Sequence, residues 1–246
     1  DRTAAGTGEQ SCGGVQARGG VAAALGLLLA AGLATAQPAT TTVDVNSGER
    51  LTQDDLFTGM FTGSGGMFDF SLSPGTVFDI NDGGVIGVVG DGTEVPGTPF
   101  DFGGSTVNIN SGGVFESIFP EDDSIVSNVR LNLFEGGAIG ETFEALSGSV
   151  VNIFGGTVGR NFQAFDGSVV TISGGNLGPA VQAFAGSTVR ISGGSLKEPD
   201  FAEGSDVTLV GGMFRLNSVP VSEIPGCIGA GDVLTGVLSD GNTFIF

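Results

Sequence analysis

The chain has 246 residues, 46 of them Gly, and a formal net charge of −19. That acidity excludes a nucleic-acid binder, since phosphate contacts need clustered Lys and Arg, and it argues equally against adhesion to anionic lipid. His is absent, which excludes imidazole-based nucleophile activation and His metal sites.

Residues 18–37 read RGGVAAALGLLLAAGLATAQ. Arg18 precedes an apolar run from Val21 to Leu33, and Ala34-Thr35-Ala36 forms a small-x-small site. The pattern predicts a cleaved signal peptide, with the mature chain starting at Gln37. The run is short for a membrane span of about 20 residues, and no basic stop-transfer residues follow it. Residues 1–36 are thus expected to lie outside the fold, and the mature protein to be secreted or held at the cell surface without a transmembrane segment. Cys12 would leave with the leader, so Cys227 alone remains and no intrachain disulfide is expected.

Residues 37–74 include TTVDVNSGER, LTQDDLFTGMF and FDFSLSP, and read as an N-terminal cap or an imperfect first turn. From residue 75 to 214 one phrase repeats. Its anchor is an apolar-x-apolar triplet, seen in Phe78-Asp79-Ile80, Val107-Asn108-Ile109, Leu131-Asn132-Leu133, Val151-Asn152-Ile153 and Val170-Thr171-Ile172. Val189-Arg190-Ile191 and Val207-Thr208-Leu209 complete the series. Alternation with a period of two marks a strand. A Gly pair follows each triplet, as at Gly155-Gly156 and Gly174-Gly175, and suits a tight corner. Two residues beyond the later pairs stand Phe115, Ile139, Val158, Leu177, Leu196 and Phe214, which predict a second short strand. A third apolar stretch carries Phe143 and Leu146, then Phe162 and Phe165, then Val181 and Phe184. Gly148, Gly167, Gly186 and Gly204 open the next turn, each followed by Ser.

Units of 18–20 residues cannot bury a core alone, whereas stacked turns can. The fold class expected is all-β: a single-stranded parallel β-helix, or β-solenoid, with about 18–20 residues per turn. The hexad pattern of a left-handed helix is missing, which points to a right-handed coil. Internal columns are expected at Phe143, Phe162 and Val181, at Leu146, Phe165 and Phe184, and at Val151, Val170, Val189 and Val207. Asn108, Asn132 and Asn152 form an outward column suited to amide hydrogen bonds along the axis. Residues 215–246 end in GDVLTGVLSDGNTFIF and read as a C-terminal cap with a hairpin turning at Asp240-Gly241.

The phrases GSVVNIFGGTVGRNFQAFDGSVVTISGG and VLTGVLSDGNTFIF resemble the repeat-bearing β-helix proteins exported by planctomycete-type bacteria. More broadly they are similar to autotransporter-passenger adhesins. The resemblance covers residues 100–246. It implies secretion and surface display, and it carries over no catalytic residue.

Glycosidases need paired carboxylates at a set separation. Here Asp54-Asp55 and Glu121-Asp122-Asp123 read as surface charge, and Arg130, Arg160, Arg190 and Arg215 fall at different repeat positions. No catalytic residues and no cofactor are assigned. GGVIGVVGDG at 83–92 has some likeness to a Gly-Asp β-roll but lacks its spacing. If Ca2+ binds anywhere, Asp82, Asp91 and Glu94 are the candidate ligands, because Ca2+ takes carboxylate and carbonyl oxygens. The function expected is a secreted, non-enzymatic structural or adhesive solenoid whose partners are extracellular polysaccharide or surface proteins. The alternative is a polysaccharide-binding or polysaccharide-cleaving β-helix with its cleft near the loops at 91–99 and 119–126.

Overall fold

The structure is a computed structural model and describes residues 15–18, 41–63, 66–87, 100–117, 123–222 and 232–246. Apolar-x-apolar triplets become strands, and the strands stack in parallel into a coil with three faces.

The first face carries the triplets. Thr41–Val45 pairs with Thr76–Ile80, which pairs with Thr106–Ile109. The ladder continues through Arg130–Leu133, Val150–Ile153 and the opening residues of Val169–Pro179, Thr188–Lys197 and Asp206–Leu216. Asp79, Asn108, Asn132, Asn152, Thr171, Arg190 and Thr208 share one register column. Val43-Asp44-Val45 heads the series as an additional triplet, 0% exposed at both valines. A Ser-Gly pair follows it in place of Gly-Gly, so it does not carry the repeat signature.

The second face holds Arg50–Thr52, Val85–Gly87, Val114–Glu116, Ala138–Ile139 and Thr157–Val158, and then the far ends of the long strands. Ile86, Phe115, Ile139, Val158 and Leu177 point into the core. The third face runs from Phe100–Asp101 through Ser124–Ser127, Phe143–Ala145, Phe162–Ala164 and Val181–Ala183 to Asp200–Phe201. Phe143 and Phe162 stack inside it, 5.6 Å between centroids.

One expected core column moves by a residue. Ala145, Ala164 and Ala183 occupy the inward slots, while Leu146, Phe165 and Phe184 are half-buried at the corner. Phe165 and Phe184 stack there at 4.5 Å and 6°. Strand alternation after Phe143, Phe162 and Val181 turns the second residue onward inward, and the large rings pack along the edge of the coil.

The recurring Gly-Ser has a local cause. Gly148, Gly167, Gly186 and Gly204 lie at φ between 73° and 84°, a left-handed conformation that side chains disfavour. The following Ser is buried, and its hydroxyl satisfies a corner carbonyl: Ser168 donates to Phe165, Ser187 to Phe184 and Ser205 to Ala202, each at 2.6 Å.

In the first coil the third face is replaced. Gln53–Thr58 is a short helix closed by a capping box, in which Asp55 accepts from the Thr52 backbone N–H at 2.8 Å. Asp55 thus has a structural role. Met60–Gly63 and Gly66–Asp69 form an antiparallel hairpin after it.

At the other end Leu234–Leu238 pairs antiparallel with Asp206–Leu216 and with Thr243–Ile245. Asp240 lies in the connection and accepts from the Gly194 N–H at 2.6 Å. Burial would raise its carboxyl pKa, but the N–H groups of Asn242 and Gly194 outweigh that and hold it below the ordinary value. The hairpin leaves the first-face edge of the last coil open. Val15–Arg18 takes that edge, parallel to Val207, Thr208, Leu209 and Val210. These four residues belong to the segment 1–36 that is expected to be removed with the leader. The physical basis of the pairing is the row of unpaired backbone groups that a terminal strand presents. The predicted signal run from residue 19, Cys12 and Cys227 lie outside the described residues. No helix among the described residues is long and apolar enough to cross a membrane.

Candidate functional site

The outward columns are where chemistry is exposed. On the first face the amides form a ladder. Asn108 donates to Asp79 at 2.8 Å, Asn132 to Asn108 at 2.8 Å and Asn152 to Asn132 at 2.9 Å. Stacking at one residue per coil fixes these distances, since the strand spacing matches an amide hydrogen bond between neighbours. A second ladder at the adjoining corner links Asn110 to Asn81 at 2.8 Å and Asn81 to Asn46 at 3.4 Å. On the next two coils that corner carries Phe134 and Phe154, stacked at 5.4 Å and 17°. They are 38% and 51% exposed.

Arg130 and Arg190 stand exposed on the same face. Their places in the repeat differ by two residues along the strand, so a reading of the linear sequence scatters them. Three further arginines are engaged within the chain. Arg50 pairs with Glu116 at 3.3 Å and Arg160 with Glu141 at 2.5 Å. Arg215 donates to the Ser218 carbonyl at 2.9 Å.

The third face carries Glu144, Gln163, Gln182 and Asp200 in one outward column. Gln163 donates to Gln182 at 2.7 Å. Burial raises the Glu144 carboxyl pKa, and the charge and hydrogen bond of Asp123 raise it further. Two acidic groups set side by side match general acid–base chemistry in residue type. Sequence reading passed over the pair, because Asp123 and Glu144 are distant along the chain and meet only through coil register.

Of the candidate Ca2+ ligands, Asp82 sits exposed at a first-face corner, where its backbone N–H donates to Ser111. Asp91 and Glu94 lie outside the described residues. No group of three His, Cys, Asp or Glu side chains gathers for a metal among the described residues. A cavity of about 310 Å3 at the C-terminal end is lined by Val210, Gly211, Gly212, Met213 and Val237–Ser239, with no titratable side chain.

Comparison with known proteins finds no matching family model, no matching curated protein and no matching solved structure.

Proposed function

We propose that the protein is a secreted, non-enzymatic β-solenoid that presents long flat faces for adhesion or assembly at the cell surface or in extracellular matrix. The observation that carries this reading is the amide ladder from Asn152 to Asp79. Its polar groups bond to one another along the axis, so they stiffen a face rather than converge on a substrate. The resemblance of the repeat to exported adhesins and the acidic coat point the same way.

The second reading is a polysaccharide-binding or polysaccharide-cleaving protein. The Asp123–Glu144 pair, at the start of the strand Ser124–Ser127, favours it. The two readings separate in one assay: purified protein is incubated with acidic and neutral polysaccharides, and new chain ends are counted. No turnover is expected. Turnover that disappears in Glu144→Gln would replace the first reading with the second.

A further inference from the structure

We propose that copies of this chain pack side by side with their axes aligned, the first face of one against the third face of the next, so that Arg130 meets Glu144 and Arg190 meets Asp200.

The spacing of the charges carries the inference. Arg130 is in register with Val150, then Val169, then Thr188, which lies on the strand of Arg190. The two arginines are therefore three coils apart. On the third face Glu144 is in register with Gln163, then Gln182, then Asp200, and these two carboxylates are also three coils apart. Both faces belong to one coil and share one rise, roughly 4.8 Å per strand. Each pair thus spans about 14 Å along the axis. A two-residue offset of Arg190 along its strand, about 7 Å, is within the range of a flexible Arg stem.

The groups between the charges also correspond. Asn152 and Thr171 lie between the arginines, and Gln163 and Gln182 between the carboxylates. All are short or amide side chains on flat strands, so the faces can approach. Neither Arg130 nor Arg190 has a carboxylate within ion-pair distance among the described residues, whereas Arg50 and Arg160 do. In an acidic protein, two uncompensated guanidinium groups on one face form a local exception to the overall charge. Glu144 beside Asp123 is the reverse case, a crowded carboxylate pair that an incoming guanidinium would relieve.

The contact is heterologous, so it extends from copy to copy, into a ring if the rotation between neighbours closes and into a filament if it does not. The net charge of −19 on each copy opposes it at a distance. Screening beyond roughly 8 Å at physiological salt leaves the contact pairs intact. Association is therefore expected to be weak in dilute solution and significant where the protein is concentrated on a surface. This contact deepens the structural reading given above and rests on it.

Sedimentation velocity of the full chain over a concentration series at physiological salt tests the contact. Two variants are compared, Arg130→Glu with Arg190→Glu, and Glu144→Lys with Asp200→Lys. All four positions face outward, and circular dichroism checks that each variant is folded. Wild type is expected to associate with rising concentration, each variant alone at least tenfold more weakly. An equimolar mixture of the two is expected to regain association, because a reversed first face then meets a reversed third face. A wild type that stays monomeric, association unmoved by the reversals, or a mixture no better than its components would each overturn the contact. None of those results bears on polysaccharide turnover, so failure here is distinct from failure of the structural reading.

Discussion

Glu144 is the register partner of Gln163, yet the amide ladder that joins Gln163 to Gln182 stops short of it. A carboxylate occupies the next rung and faces Asp123 on its other side. Replacing Glu144 by Gln removes the repulsion and offers an amide to Gln163. We expect Glu144→Gln to stabilise the protein at pH 7 by about 1 kcal/mol, the typical net value of one hydrogen bond. The melting temperature would rise by about 2–4 °C.

The same residue sets a pH dependence. Its folded-state pKa lies above the ordinary value of 4.5, so the unfolded chain ionises first as pH rises. Stability from this group is therefore fully present below 4.5 and is lost as pH climbs through the folded pKa. Chemical denaturation across pH 4 to 7 should show that decline in wild type and a flatter profile in Glu144→Gln. Parallel profiles would remove Glu144 as its source.

Thr142 holds φ of 51° and Asn161, one coil on, holds 57°. The column continues to Ala180 at 64°. Asn tolerates this left-handed region, while a β-branched residue is strained by roughly 1–2 kcal/mol. Thr142→Asn is expected to stabilise by about 1 kcal/mol, read as a shift in the urea midpoint without a change in slope.

The two ring columns should differ in energetic weight. Phe162 is 1% exposed and stacked inside the third face. Phe165 is half-buried at the corner against Phe184. Phe162→Ala should cost roughly 3–5 kcal/mol, the usual range for a buried ring. Phe165→Ala should cost clearly less. Equal losses on denaturation would place both rings in the core.

The first-face ladder should be weakest to perturbation at its end. Asn132 both donates to Asn108 and accepts from Asn152. Asn132→Leu breaks two hydrogen bonds and should cost about 1–3 kcal/mol. Asn152→Thr breaks one and places Thr beside Thr171, its register partner, so it should cost less than half as much. Thermal unfolding of the two variants checks the order.

Much of the coil is legible in the residues themselves. The triplets around Asn108, Asn132 and Asn152 alternate with a period of two, the Gly pairs mark corners, and Val151, Val170 and Val189 fall into one buried column. These are local properties: alternation sets which side chains turn inward, and a left-handed corner selects Gly, whatever the rest of the chain does. Leu146 and Phe165 show where local reading stops. They follow Ala145 and Ala164 directly, and composition alone favours the larger residue for the core, whereas strand alternation seats the alanines there.

Tertiary structure alone decides which outward groups share a face. Asn81 and Asn46 are 35 residues apart, Asn108 and Asp79 are 29, and Asn152 and Asn132 are 20, yet each pair sits on adjacent coils. Insertions of unequal length separate the rungs, so counting along the chain cannot bring Asp123 to Glu144 or set Arg130 and Arg190 in line. Backbone pairing between coils supplies the missing register, because each strand must match its neighbour residue by residue to satisfy its N–H and C=O groups. Strand, corner and core are written in neighbouring residues; the charged and amide columns exist only once the coils are stacked.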